Sequence, residues 1–209
     1  MATMRVLLVD DHAIVRRGMR TILEDSVPEV VVEEAATGEA ALTAVMQPFD
    51  VVVLDLSMPG RNGLDLLTEI KHRRPELPVL ILSLHDEQHF AIRTLRAGAS
   101  GYLMKDAAIE ALVSAVLKVA RGGKYVSDAI ADRLAADPGS TRTTLHESLS
   151  DREFDVLRGI ATGQTVSEIA VQLHLSVKTV STYRTRLLEK MGMGSNSELT
   201  RYALEQGLV

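Results

Sequence analysis

The sequence predicts an α/β fold, a doubly wound five-stranded parallel sheet, followed by a small all-α domain. Three observations support this prediction. Five short aliphatic segments recur along the first part of the chain. Segments with apolar residues at helical spacing separate them, which is typical of a parallel sheet covered by helices on both faces. Beyond about residue 149 the pattern is helical throughout. With 209 residues, 46% of them hydrophobic, the chain is long enough for two cores.

Each of the five predicted strands is a run of β-branched or aliphatic residues of ordinary strand length. They are Val6–Val9, Val30–Glu33, Val51–Leu54, Val79–Leu82 and Tyr102–Met104. The intervening helices have one apolar face, as in Leu64, Leu67 and Ile70. Gly122 and Gly123 are expected to end the fifth helix.

A linker is predicted after these elements. Ser127–Ala136 has the pattern of one more short helix, and Asp137–Thr144 is small, polar and without periodicity. We therefore expect a first domain at 1–122, a linker with a short helix at 123–148, and a second domain at 149–209.

The second domain is predicted to contain four helices. Ser150 and Glu153 have the spacing of a capping box, and Gly163 is a natural stop for that first helix. The next three helices are Val166–Leu173, Val177–Met191 and Ser197–Gln206. A tight turn separates the first two of these, and Ser176 at its end can cap Val177–Met191. Two helices joined by so short a turn are typical of a helix-turn-helix, and the last helix could close the core, form a dimer contact, or both.

Composition excludes several classes of protein. The chain has no cysteine, so disulfides, thiolate zinc sites and cysteine nucleophiles are ruled out, and a cytoplasmic location is expected. Neither a secretion signal nor a membrane span is predicted, because no apolar run is long enough. The net charge of −5 lies entirely before Asp151. The segment Lys178–Lys190 contains four basic residues and a single acidic one, Glu189. A local basic stripe is therefore expected on one predicted helix.

Polar residues interrupt the apolar runs at the carboxyl ends of four predicted strands. They are Asp10 and Asp11, Asp55, Ser83, and Lys105. Those ends converge on one crevice in an open parallel sheet, so we expect a single site. Taken singly, each aspartate could instead cap a helix or begin a turn, but independent caps would not all choose one edge of a sheet.

The chemistry of this set follows from its charges. Three crowded carboxylates repel one another and favour a hard divalent cation, and the expected ion is Mg²⁺. A carboxylate beside such a metal can attack phosphorus and form an acyl phosphate. Lys105 would then neutralise the phosphoryl oxygens, and Ser83 could donate a hydrogen bond to them. The sequence therefore predicts a phosphate-dependent switch.

The segments VLLVDDH, VVVLDLSMPGRNG, LILS and GYLMKD resemble, in this order and spacing, the flavodoxin-like receiver domain of response regulators over about 122 residues. This resemblance implies that Asp55 is the phospho-acceptor and that Asp11 and Asp55 bind Mg²⁺ directly. It further implies that Asp10 binds through water, the Ser57 backbone carbonyl is a ligand, and Ser83 and Tyr102 form the switch pair. Lys105 is followed by aspartate, as is common in the NarL/FixJ branch, rather than by the proline of many receivers.

The third helix of the second domain divides its surface: Val177, Val180, Leu187, Leu188 and Met191 can pack inward, and the other faces are polar. The same polar pattern is also found on ordinary bundle helices. The stretch from LSDREFDVLRGIATG to TRLLEKMG resembles the LuxR-type helix-turn-helix. By position, this resemblance implies base contacts by Ser181, Thr182 and Thr185, and phosphate contacts by Lys178, Thr179 and Arg186. This chain lacks basic side chains at positions where other members of the family have them. The DNA sequence preference of those members therefore does not transfer to it. The segment VSTYRTRLL is similar to the BvgA-like subgroup.

The resemblance implies a transcriptional regulator of a two-component system and no enzyme. A sensor histidine kinase, double-stranded promoter DNA, a second copy of the phosphorylated chain and RNA polymerase are the expected partners. Two other classes stay open. A haloacid-dehalogenase-like phosphotransferase also uses a nucleophilic aspartate, but it needs a second aspartate where this chain has Ser57. A phosphorylation-independent protein-binding module would show no salt-dependent binding of DNA.

Overall fold

The computed structural model describes residues 3–58, 63–83, 88–105, 107, 109–128, 130–132, 145–173 and 175–209. The chain divides into two compact units, Met1–Gly139 and Ser140–Val209. The predicted linker at Asp137–Thr144 lies outside the described residues, as does part of the predicted helix at Ser127–Ala136.

The first unit contains the predicted five-stranded sheet, which is wholly parallel with strand order β2-β1-β3-β4-β5. Its strands are β1 Met4–Val9, β2 Val30–Ala35, β3 Val51–Asp55, β4 Val79–Ser83 and β5 Gly101–Met104. The helices are α1 Ala13–Ser26, α2 Gly38–Ala44, α3 Gly63–Arg73, α4 Gln88–Arg96 and α5 Ile109–Ala120. The predicted fold class is therefore confirmed, with all five strands in place.

Burial explains why these strands are aliphatic. Every residue of β3 and β4 is buried, because helices cover both faces of the inner strands. In the edge strand β2, by contrast, only Val32 and Ala35 are buried. Helices α1 and α5 pack on the sheet through buried residues such as Leu23 and Val116, which belong to the same core as Val6 and Val53.

Two close approaches fix the backbone around this sheet. A Cβ on Gly63 would lie 2.5 Å from the Leu56 Cα, so only glycine fits where α3 begins against the loop after β3. Tyr125 forms a parallel bridge with Gly101, and its carbonyl accepts a hydrogen bond from the Tyr102 N–H at 2.8 Å. The chain beyond α5 thus continues along β5, and a Cβ on Gly101 would meet that carbonyl at 2.8 Å.

The described residues of the second unit form four α-helices: α6 Asp151–Ala161, α7 Val166–Gln172, α8 Val177–Met191 and α9 Asn196–Glu205. A short 3₁₀ helix, Leu145–Ser148, precedes them. The predicted capping box of Ser150 and Glu153 is present, and Gly163 has a φ of 83° after α6 ends. His174, in the predicted turn before α8, lies outside the described residues. All four helix predictions are confirmed to within about one residue at each end.

The inward face of α8 differs from the prediction at one position. Val180, Leu187 and Met191 are buried, and Leu188 is partly buried, as expected. Val177 is 50% exposed, so the prediction that it packs inward is wrong. It is the first residue of the helix, and because Cα–Cβ bonds tilt toward the helix N-terminus, its side chain extends off the end of the helix.

None of the helices in the described part of the chain is both long and apolar enough to cross a membrane.

Candidate functional site

The carboxylates of the first unit meet because of the strand register. Val9 in β1 pairs with Leu54 in the neighbouring β3, so the residues that follow, Asp10 and Asp55, lie side by side. Both side chains have no exposed surface, and Asp11 is partly buried. Strand order reverses between β1 and β3, which is the position at which open α/β sheets bind ligands.

Lys105 reaches the same point from the end of β5. Its Nζ lies 2.7 Å from Asp10 Oδ2 and 2.7 Å from Asp55 Oδ2, and its side chain is only 9% exposed. The Lys105 N–H donates to the Ser83 carbonyl at 2.8 Å, which ties this backbone to the end of β4. One ammonium therefore serves two buried carboxylates.

Backbone amides hold the other oxygens of the two buried aspartates. The His12 N–H donates to Asp10 Oδ1 at 2.7 Å, and the Ser57 N–H donates to Asp55 Oδ1 at 2.9 Å. Among the described residues, nothing donates a hydrogen bond to Asp55 Oδ2 or Asp11 Oδ1, although both atoms are buried. Lys105 Nζ forms an ion pair with Asp55 Oδ2 at 2.7 Å. Buried polar atoms are seldom left in this state without a function.

The electrostatics of the cluster indicate an excess of negative charge. Burial raises the pKa of the Asp55 carboxyl, and the adjacent Lys105 ammonium only partly offsets this rise. Burial by itself would lower the pKa of Lys105, but the charges of Asp55 and Asp10 outweigh it and the pKa is raised. The lysine therefore stays protonated, but its single positive charge does not fully balance the negative charge of the carboxylates.

The arrangement suits a small cation with oxygen ligands. Ligand atoms of Asp10, Asp11, Asp55 and His12 all lie within 4.8 Å of one another. Carboxylate oxygens are the ligands that Mg²⁺ and Ca²⁺ prefer. A divalent cation would also satisfy the two buried oxygens that accept no hydrogen bond from the described residues. The donor set thus fits the ion predicted from the sequence.

The predicted switch residues occupy the neighbouring strands. Ser83 ends β4 and is 1% exposed, and Tyr102, in β5, is 6% exposed. Tyr102 pairs in register with Ile81, and its N–H is the one that donates to Tyr125. The Tyr102 backbone is therefore tied directly to the segment that follows α5.

Sequence reasoning missed one residue near the carboxylates. Arg16 Nη1 donates to the Asp10 carbonyl at 2.7 Å, and its Nε donates to Glu34 on β2 at 3.2 Å, which holds the loop after β1. The His12 Nδ1 lies 3.1 Å from Asp11 Oδ1, although 60% of its side chain is exposed. An arginine early in an amphipathic helix looks like any solvated base, so only the folded geometry distinguishes Arg16.

A second group of predicted residues lies on one surface of α8. Lys178, Ser181, Thr182, Thr185 and Arg186 are exposed, and Thr179 is partly exposed. The hydroxyls of Ser181, Thr182 and Thr185 donate to the carbonyls four residues earlier, at 2.9 to 3.1 Å. Thr179 helps to cap the helix, with its N–H on Ser176 Oγ at 3.1 Å. The structure therefore gathers all six residues on or beside one exposed helix face.

Two of the four basic side chains on α8 already have a partner within the second unit. Lys190 Nζ lies 2.7 Å from Glu153 Oε2, and Arg184 Nε donates to Asn196 Oδ1 at 2.7 Å. Lys178 and Arg186 have no side-chain partner within the described part of the chain. The basic stripe predicted from the sequence is thus narrower than four residues, with Lys178 and Arg186 left to face solvent.

Two family models match the chain, one in each unit. The response regulator receiver domain model matches residues 6–117, and the model of bacterial regulatory proteins of the luxR family matches residues 147–203. The first match includes every residue of the carboxylate cluster, and the second includes the whole of α6, α7 and α8.

Similar proteins span nearly the whole chain. Response regulator UvrY of Escherichia coli strain K12 is 41% identical over 97% of this chain and 94% of its own length. Response regulator GacA of Pseudomonas aeruginosa is 37% identical over 98% of this chain and 97% of its own length. A structure of RcsB from Salmonella typhimurium has a TM-score of 0.59 at 30% identity, covering 97% of this chain and 98% of that one. RcsB from Salmonella enterica serovar Typhimurium has also been solved on the promoter rprA with the phosphomimetic BeF3⁻, with a TM-score of 0.56 at 29% identity over 96% of this chain and 98% of that one. The chain therefore belongs to the NarL/FixJ family of two-component response regulators, which join a receiver domain to a LuxR-type helix-turn-helix domain.

Proposed function

We propose that Asp55 accepts a phosphoryl group from a sensor histidine kinase, and that the phosphorylated chain binds promoter DNA through α8. Residues 1–122 would act as the receiver, 123–148 as the linker and 149–209 as the DNA-binding domain. The observation that carries the proposal is the buried Asp55 carboxylate, whose Oδ2 lies 2.7 Å from Lys105 and accepts no hydrogen bond from the described residues.

The phosphoryl step uses groups already in contact. A carboxylate oxygen of Asp55 forms the new P–O bond as the P–N bond of the donor phosphohistidine breaks, and the donor imidazole takes up a proton. Lys105 balances negative charge on the transferred group, since its raised pKa keeps it protonated. Ser83, buried at the adjoining strand end, would donate its hydroxyl to a phosphoryl oxygen. The residue two positions after Asp55 is Ser57, so no second aspartate stands there to promote rapid hydrolysis.

The three carboxylates would hold Mg²⁺, with Asp11 and Asp55 as direct ligands, the Ser57 carbonyl as another, and Asp10 acting through water. Bound there, the ion would supply positive charge to the phosphoryl oxygens and offset the repulsion among the carboxylates. The two buried oxygens of Asp11 and Asp55 that accept no hydrogen bond from the described residues support this assignment.

Phosphorylation would act on DNA binding through Ser83 and Tyr102. When Ser83 turns toward the phosphoryl group, the space it leaves favours a new position of the Tyr102 ring. The Tyr102 N–H is bonded to Tyr125, at the start of the path to the linker, so a shift in β5 is passed on to that segment. Release or dimerisation of the second domain would follow.

The face of α8 suits the major groove. Because Ser181, Thr182 and Thr185 already donate their protons to backbone carbonyls, they offer acceptor lone pairs outward. Acceptors match the exocyclic amino groups of adenine and cytosine. Lys178, Arg186 and the Thr179 hydroxyl would contact phosphates. RcsB, with which the chain is 29% identical, is bound to a promoter in its solved complex. Two phosphorylated chains would bind paired half-sites as a dimer, and the bound dimer would contact RNA polymerase.

The phosphorylation half is tested by labelling the full chain with a phosphorylated kinase domain or acetyl phosphate. Asp55→Asn should abolish the acid-stable, hydroxylamine-sensitive label that is characteristic of an acyl phosphate. The matched control is Asp65→Asn, which removes an exposed carboxylate from the first turn of α3 and should label normally. Full labelling of Asp55→Asn would refute the assignment.

The DNA half is tested by measuring affinity against salt concentration. Lys178→Ala and Arg186→Ala should each weaken binding and lower the slope of log K against log salt by about one. Arg17→Ala, at an exposed position of α1, serves as the control and should leave the slope unchanged. DNA binding that is undetectable in the phosphorylated wild-type protein would refute this half.

A further inference from the structure

Val177 occupies an unusual position on the proposed DNA-binding helix. It is the first residue of α8, and half of its surface is exposed. The core of the unit is closed without it by Val180, Leu187 and Met191. Val177 is not among the buried side chains of α8, so half of a branched apolar side chain is left facing solvent at this point.

The backbone around Val177 is fixed. Ser176 caps the helix by accepting the Thr179 N–H at 3.1 Å, and the Ser181 hydroxyl donates to the Val177 carbonyl at 2.9 Å. The first turn of α8 is thereby held in helical geometry, and the valine, which is restricted at χ1, presents its methyl groups in a defined direction.

Val177 also continues the stripe of predicted base-contacting residues. Ser181 and Thr185 follow it at intervals of four residues, so the three side chains lie on adjoining parts of one helix surface. Both neighbours are short and uncharged, and both are exposed, so neither covers the valine. In helix-turn-helix proteins, residues near the N-terminus of the recognition helix contact base edges.

Chemistry then selects the group that Val177 would contact. Its side chain has no hydrogen-bonding atom, and the C5 methyl of thymine is the apolar group that base pairs present in the major groove. Burying methyl against methyl removes apolar surface from water on both sides. Resting on the proposed DNA binding, we propose that Val177 is a specificity-determining residue that recognises the methyl group of a thymine in each half-site.

Replacement of thymine by deoxyuridine tests this directly, because it deletes the methyl group and keeps every base-pairing and groove hydrogen bond. A preferred duplex would first be selected from a random pool with the phosphorylated full-length protein. Each thymine of that duplex would then be replaced singly by deoxyuridine, and affinities measured for wild type and Val177→Ala. We expect one thymine per half-site at which replacement weakens wild-type binding about fourfold, the effect of one buried methyl group. Val177→Ala should bind both duplexes equally.

Val171→Ala provides the matched control, since Val171 is a 78% exposed valine on α7 away from this stripe. It should keep the fourfold preference for thymine. Circular dichroism would establish that the variants fold, and Val177→Thr, which keeps one methyl group, should retain part of the preference.

The outcomes separate the two proposals. If a duplex is selected but deoxyuridine replacement affects wild type and Val177→Ala alike, the role of Val177 is overturned and DNA binding stands. If no duplex is enriched, DNA binding itself fails, and the role of Val177 is overturned with it.

Discussion

Each unit of this protein contains a lysine 2.7 Å from a buried carboxylate, but the two pairs differ in how completely their charges are satisfied. In the second unit, Lys190 pairs with Glu153, whose Oε2 also accepts the Ser150 N–H at 2.7 Å. Burial acts to raise the pKa of Glu153, but Lys190 and Ser150 outweigh it, and the pKa is lowered. In the first unit, Lys105 is shared by Asp10 and Asp55, and the pKa of Asp55 is raised.

The comparison distinguishes a structural ion pair from a reactive one. Glu153 has a counter-charge and hydrogen bonds of its own, so it stabilises the junction of α6 with α8 and has no reason to bind anything else. Asp55 is left with insufficient compensation and a buried oxygen that accepts no hydrogen bond from the described residues. A site with this deficit gains free energy from a metal cation or from a change in charge at the aspartate, which is what a switch requires.

The largest effect that would separate the two pairs is expected from removing each lysine. Lys105→Met should destabilise the metal-free first unit by about 3–5 kcal/mol, because two buried carboxylates then lack a counter-charge. Millimolar Mg²⁺ should restore much of this loss. Lys190→Met should cost less, since Lys190 is 42% exposed, and Mg²⁺ should restore none of it. Denaturant unfolding followed by hydrogen exchange of peptides from each unit would measure both, and recovery of Lys190→Met by Mg²⁺ would contradict the comparison.

Metal binding should stabilise one unit only. At a free Mg²⁺ concentration of 100 times Kd, the first unit of the wild-type protein should gain about 2.7 kcal/mol by mass action. Hydrogen exchange should slow in β1, β3 and β5 and stay unchanged in α6–α9. Asp11→Asn should reduce the gain, whereas Asp65→Asn, on α3, should keep it. Equal protection of both units would argue against a specific site at the three carboxylates.

The ion pair of Glu153 and Lys190 should make the stability of the second unit depend on pH in the acid range. Because the pKa of Glu153 is lowered on folding, its stabilising contribution is present above the ordinary glutamate pKa of about 4.5 and is lost as pH falls through the folded value. Glu153→Gln should therefore destabilise the second unit by about 1–2 kcal/mol at pH 7 and flatten its acid dependence. Unfolding free energies measured from pH 7 down to pH 3 provide the test, and an unchanged slope in Glu153→Gln would exclude this carboxylate as the source.

The smallest effect is expected from the cap that supports Glu153. Ser150→Ala removes the side-chain acceptor of the Glu153 N–H but keeps the Ser150 N–H that binds the carboxylate. Loss of the cap should cost about 1 kcal/mol. The Lys190 pair and the Ser150 N–H should survive, so most of the acid dependence of the second unit should be kept. A melting curve at two pH values is sufficient, and a flattened pH profile would mean that the capping box and ion pair act as one unit.

Local sequence patterns predicted most of the fold, for reasons visible at particular residues. The aliphatic runs of β3 and β4 can be interpreted without tertiary information, because strands buried on both faces must be apolar throughout. Ser150, Glu153 and Gly163 mark the ends of α6 by interactions within a few residues. The carboxylate cluster was also predictable, since the carboxyl ends of parallel strands meet at one edge whatever the details of packing.

Only the tertiary structure decided which polar groups are satisfied and which apolar groups are left over. The pairing of Glu153 with Lys190 joins residues from different helices, and no local pattern distinguishes Lys190 from Lys178. The clamp of Arg16 on the Asp10 carbonyl likewise depends on where α1 lies against the sheet. Val177 was expected to pack inward because its spacing fits the apolar stripe, but burial depends on what lies opposite, and off the end of α8 it stays half exposed. The sequence by itself therefore determined the elements and the convergence of Asp10, Asp11, Asp55 and Lys105. The tertiary structure decided the partners and the exposure of each side chain, because these arise from contacts between elements and not within them.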